Sequence, residues 1–115
     1  MSEFRLQRLE HQFAEQISVM LARGMIKDPR VSEGLSVSKV SLTKDTQFGK
    51  VYISCFDDDQ DLDRSVEALN HAAGFIQHVI SKNIKLRNTP KLTFIADRSI
   101  KFGIEMSKKL EDLDS

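Results

Sequence analysis

The stretch Leu86-Arg87-Asn88-Thr89-Pro90-Lys91-Leu92-Thr93-Phe94-Ile95-Ala96-Asp97 decides the fold. A helix runs into it, Pro90 turns the chain, and a buried strand leaves it. Proline cannot continue a helix, and its ring pushes Thr89 out of helical dihedrals. Leu92, Phe94 and Ala96 then alternate with Lys91, Thr93 and Ile95, the period of a strand. Upstream lies Ala72-Ala73-Gly74, a small-residue break inside an otherwise helical run. Helix, break, helix and strand in that order present a strand edge beside a helix pair, an arrangement suited to nucleic acid.

Working outward, Leu62, Val66, Leu69 and Ala73 mark the buried stripe of the first of these two helices, and Asp61 is its expected N-cap. Gly74 interrupts, and a second helix is expected after it. Its apolar stripe is Phe75, Ile76, Val79, Ile80 and Ile84, opposite Gln77, His78, Ser81, Lys82 and Lys85. Near the N-terminus, Phe4, Leu6, Leu9, Phe13, Ile17, Met20 and Leu21 recur at helical spacing. Gly24 lies close to that helix's end, and Lys27-Asp28-Pro29-Arg30 follows as a turn. Between Gly34 and Thr43, Leu35 and Val37 are out of phase with Val40 and Leu42, so a bulge near Ser38 or Lys39 is expected. Val51, Ile53 and Cys55 give a second strand, the hairpin partner of the first. Ser99 can cap a last helix carrying Ile100, Ile104 and Leu110. The order suits an α+β fold with helices on one face of a three-stranded sheet. One domain is expected, with a core from about residue 4 to 97 and a terminal helix over about 99–113.

Of the 115 residues, 40% are apolar, and no run approaches the length of a membrane span. Glu3, Arg5 and Arg8 in the opening turns are unlike a signal peptide, so a cytoplasmic protein is expected. Cys55 is the only cysteine, which excludes an internal disulfide and a cysteine-based zinc site. Lysines and arginines number 17 and so do aspartates and glutamates, but the charges are segregated. Asp57, Asp58, Asp59, Asp61, Asp63 and Glu67 crowd one stretch. Lys82, Lys85, Arg87, Lys91, Arg98, Lys101, Lys108 and Lys109 dominate the next. Such segregation can place a basic face on a neutral chain.

The acidic run has Asp57, Asp59 and Asp61 at the first, third and fifth positions of a calcium loop. Leu62 stands where that loop needs glycine and Ala68 where it needs a bidentate glutamate, so no calcium site is expected. His11, His71 and His78 lack partners at metal-ligand spacing. Neither a glycine-rich phosphate loop nor a nucleophile elbow nor a clear acid–base pair is present, so neither enzyme nor cofactor is expected. The Ala72-Ala73-Gly74 break is the better signal. Small residues allow close approach, and a helix start offers free N–H groups to a phosphate. Gln77, His78, Lys82 and Lys85 could continue that contact along one face.

These residues resemble the ribosome-binding factor A family, bacterial assembly factors of the small ribosomal subunit. The likeness runs from about Arg5 to Leu110. It rests on Lys27-Asp28-Pro29-Arg30, Val40, the Lys50-Val51-Tyr52-Ile53-Ser54 strand, Ala68-Leu69 and Ala72-Ala73-Gly74-Phe75-Ile76. Leu86-Arg87, Pro90, Leu92, Phe94, Asp97 and Ser99 complete it. The resemblance implies a type II KH-like domain with an Ala-x-Gly kink in place of the usual Gly-x-x-Gly loop. It implies binding to immature small (30S) subunits, contact with 16S ribosomal RNA, and support for 5′-end processing, notably in the cold. Release by a ribosome-dependent GTPase would be a further family property. Gln77 stands where the family often has a basic residue.

The expected RNA-binding residues are therefore Ala72, Ala73, Gly74, Gln77, His78, Lys82, Lys85, Arg87 and Lys91, with Arg5, Arg8 and Arg30 as secondary contacts. A monomer is expected, with no catalytic residue, metal or membrane partner. Ala72 in place of a first glycine narrows the backbone, so poor affinity for free single strands is expected. The alternatives are a KH-like regulator of messenger RNA, a protein-interaction domain, and a small metal-dependent hydrolase using the Asp57–Asp63 run.

Overall fold

The computed structural model describes residues 2–55 and 59–98. Their elements run α1 (Glu3–Ala22), β1 (Leu35–Leu42), β2 (Phe48–Cys55), α2 (Asp59–His71), α3 (Ala73–Asn83) and β3 (Lys91–Ala96). The expected last helix, Asp57 and Asp58 lie outside the described residues.

Ser2 caps α1, its hydroxyl accepting from the Arg5 N–H, and Leu9, Phe13, Ile17 and Met20 form the buried stripe. The helix ends in a Schellman motif. Gly24, at φ +63°, takes the left-handed position; its N–H donates to Leu21, and the Met25 N–H donates to Met20. That sharp stop aims Met25–Asp28 back toward α3.

β1 and β2 pair as an antiparallel hairpin, and β3 joins β2 in parallel, giving the sheet order β1-β2-β3. The register slips between Val37 and Lys39, leaving Ser38 as the extra residue. The expected bulge is therefore present, and it turns Leu35, Val37, Val40 and Leu42 to the same face. Val51 and Ile53 of β2 are fully buried, and Leu92 and Phe94 of β3 nearly so. They form one core with Phe13 and Ile17 of α1, Leu62 and Leu69 of α2, and Ile76 and Ile80 of α3. Each fully buried side chain of this size contributes roughly 1.5–3 kcal/mol. The helices thus cover one face of a mixed sheet, an α+β fold in the type II KH-like order.

Two local expectations need correction. Asp61 lies inside α2, which begins at Asp59, so it is not the N-cap. The break falls at Ala72, and α3 begins at Ala73 rather than after Gly74. Ala72 still donates to Ala68 and Leu69 and accepts from Ile76, so the chain bends without losing those bonds.

Candidate nucleic-acid interface

The α2–α3 bend is held from three sides. On the α1 side, Ser65 of α2 is fully buried; its hydroxyl donates to the Arg30 carbonyl and accepts from the Ser32 N–H, both at 3.0 Å. This latches the Asp28-Pro29-Arg30 turn to α2. Along α3, Asn83 donates to Gln16 of α1 at 3.0 Å. On the sheet side, Asn70 and Gln77 grip β3. The Asn70 carbonyl oxygen accepts from the Phe94 N–H at 2.7 Å, and its amide donates to the Phe94 carbonyl at 3.0 Å. The Gln77 oxygen accepts from the Leu92 N–H at 2.9 Å.

The β3 edge beside the helix pair is therefore engaged at Leu92 and Phe94. An edge strand presents unpaired N–H and C=O groups, and two side-chain amides satisfy the N–H of Leu92 and both groups of Phe94. Gln77 is half-buried in this grip and does not lie on the outer basic face with His78.

Phe75 is a second departure. Helical spacing puts it in the apolar stripe of α3, but it is 46% exposed while Ile76 beside it is fully buried.

No side chain caps the α3 start. The first N–H groups of a helix have no partner within it, and they carry the positive end of its dipole. Gly74 is exposed, and a Cβ placed on it would meet nothing within 4 Å. Nothing inside the fold requires glycine there, so the open backbone is available to a group outside the chain.

Lys82 lies in the last turn of α3, Lys85 and Arg87 lie in the connection to β3, and Lys91 starts that strand; all four are exposed, as is His78. The fold thus carries them in one run away from the bend. Arg5 and Arg8 sit elsewhere. They precede Gln16, the point where α1 meets the end of α3, by 8–11 residues, or ~12–17 Å along the helix. Arg8 instead stacks over the Phe4 ring, 5.7 Å from its centroid.

Arg30 is close to the bend but already engaged. Its guanidinium donates to both Asp28 carboxylate oxygens, at 3.2 and 2.9 Å, and its backbone N–H donates to the same group at 2.9 Å. Those bonds pull the Asp28 carboxyl down to about 2. Glu67 stands 3.7 Å from the other arm of Arg30. Arg30 therefore braces the turn, and its charge is balanced locally. Lys27, exposed at the mouth of the cleft beside Ala72, takes its place near the bend. Among the described residues no three of histidine, cysteine, aspartate and glutamate gather as a metal site would require.

The family model described as ribosome-binding factor A matches residues 5–110. The chain belongs to that family. A relative from Treponema denticola, named ribosome-binding factor A, is 47% identical over 99% of this chain and 86% of its own. A solution NMR structure of a Thermotoga maritima protein superposes with a TM-score of 0.69 at 30% identity, covering 83% of this chain and 89% of that one. A homology model of Thermus thermophilus ribosome binding factor A, fitted into a cryo-EM map of its complex with the 30S subunit, gives a TM-score of 0.57 at 26% identity, covering 76% of this chain and 93% of that one. No helix among the described residues is long and apolar enough to cross a membrane.

Proposed function

We propose that this chain is a non-catalytic assembly factor that binds immature small ribosomal subunits through 16S ribosomal RNA. The observation that carries the reading is the α3 start: uncapped, exposed, and bare of a Cβ at Gly74, in a family whose Thermus thermophilus member was fitted into a complex with the 30S subunit. A phosphate of folded RNA approaches Ala73 and Gly74, where helix dipole and open backbone favour it. Lys82, Lys85, Arg87 and Lys91 then follow the RNA backbone. The gripped β3 edge disfavours a regulator that reads single-stranded messenger RNA on that edge, because the Leu92 N–H and both backbone groups of Phe94 are already bonded. The rest of the reading is a monomeric, single-domain cytoplasmic protein that supports 5′-end maturation of 16S RNA, above all in the cold. A ribosome-dependent GTPase would release it.

The test is co-sedimentation of the purified chain with immature and mature small subunits over a salt series. Preference for the immature particle is expected. Four phosphate contacts at ~0.7–0.9 released counterions each give a log–log slope of about −2.8 to −3.6, or roughly 50- to 150-fold weaker binding from 50 to 200 mM salt. Binding that ignores salt would sink the phosphate contacts, and no binding to either particle would sink the function.

A further inference from the structure

Phe75 forms one wall of a cleft of about 340 Å³ beside the α2–α3 bend. Met25, Ile26 and Ala72 supply an apolar lining, while Lys27 and His71 add polar groups. An aromatic ring left nearly half in water, next to fully buried neighbours on its own helix, contributes little to the core.

We propose that this cleft takes one unstacked nucleobase of the bound RNA, stacked on the Phe75 ring. The proposal rests on the RNA-binding reading above and adds a site to it. Each base has a π face, so an aromatic wall over an apolar lining accepts any of them. The charge around the cleft suits a nucleotide. Phe75 is the third residue of α3, so a base on its ring puts the attached phosphate near the positive helix end and the bare Gly74 backbone. Lys27 adds a cation, and the one anion in the lining, Asp28, is already held by Arg30. An apolar protein segment would gain nothing from that charge. On the β3 side of the bend, Asn70 and Gln77 already engage the Leu92 N–H and both backbone groups of Phe94, whereas the cleft around Phe75 stays open.

The experiment compares the full chain with Phe75→Leu and Phe75→Tyr for binding to the immature small subunit. Leucine keeps apolar bulk and loses the π face; tyrosine keeps the ring. Loss of one base stack corresponds to a rise in Kd of roughly 5- to 150-fold for Phe75→Leu, with Phe75→Tyr retaining affinity. The salt slope should stay unchanged, because no phosphate contact is removed. Thermal melts of both variants establish that they fold. Ultraviolet crosslinking of the bound wild-type chain, read by mass spectrometry, should place a nucleotide adduct on the peptide holding Phe75. Phe75→Leu binding as tightly as wild type overturns the proposal, as does a crosslink from that peptide to a ribosomal protein in place of a nucleotide. Wild-type chain that fails to bind the particle removes the RNA reading, and the base site falls with it. Wild-type binding matched by Phe75→Leu removes the base site alone.

Discussion

Gly74→Ala should make this protein more stable and a poorer binder at the same time. The position is the second residue of α3, without positive φ, and an added Cβ meets nothing within 4 Å. Alanine in place of glycine inside a helix stabilises by roughly 0.5–1 kcal/mol, and a first-turn position should realise about half of that. For a chain of 115 residues, ~0.5 kcal/mol raises Tm by about 2 °C and moves the urea midpoint by about 0.3 M. The same methyl group stands where a phosphate would approach the helix start. Overfilling a close contact costs ~1–3 kcal/mol, so affinity for the immature subunit should fall roughly 5- to 150-fold. The assay pairs urea titration by circular dichroism with co-sedimentation under one buffer. A lower midpoint would show that the space around Gly74 is not open. A raised midpoint with unchanged particle binding would show that no ligand approaches Gly74, and the phosphate placement would fall.

Three other outcomes test the scaffold. Gly49→Ala should destabilise by ~1–3 kcal/mol, because its Cβ would meet Leu42 at 2.7 Å and Leu92 at 3.0 Å between paired strands; an unchanged urea midpoint would contradict the packing. Asn70→Ala should cost ~1–3 kcal/mol by leaving the N–H and C=O of Phe94 unpaired, and hydrogen exchange of the Phe94 amide should accelerate; unchanged exchange would refute the grip on β3. The Asp28 carboxyl is held at about 2, below its ordinary 3.8, so its pairing with Arg30 favours the folded state above pH 4 and is lost as pH falls toward 2. Asp28→Asn should therefore flatten the acid limb of stability in that window, read as urea midpoint against pH; an acid limb identical to that of the wild type would mean that the pair contributes nothing there.

The gripped β3 edge and the open cleft together divide the surfaces around one bend. One side of the α2–α3 pair holds β3, through two amides that bond the Leu92 N–H and both backbone groups of Phe94. The other side meets the loop after α1 and stays open. Ser65 and the Asp28–Arg30 pair fix that loop against α2, so the open side is shaped before any ligand arrives.

Much of this was readable in one dimension. The elements, the Pro90 turn and the bulge at Ser38 follow from local rules: hydrophobic phase has a fixed period, and a phase error within one strand has few remedies. The exposed Lys82, Lys85, Arg87 and Lys91 were also legible, since long charged side chains rarely find burial. The Asp28–Arg30 pair lies two residues apart and is legible in principle, yet the sequence expectation for Arg30 is a secondary RNA contact. Other features belong to the folded chain alone. Asn70 and Phe94 are 24 residues apart, and Gln77 and Leu92 are 15 apart, so no local pattern could show that amides close the strand edge. Helical spacing also put Phe75 in the apolar stripe. A bend at Ala72 rotates α3 relative to α2, and which of two adjacent apolar residues then faces the core depends on the sheet beneath them. Local periodicity supplies the faces of each element, while only tertiary packing decides which margin of a face is left to water and to a ligand.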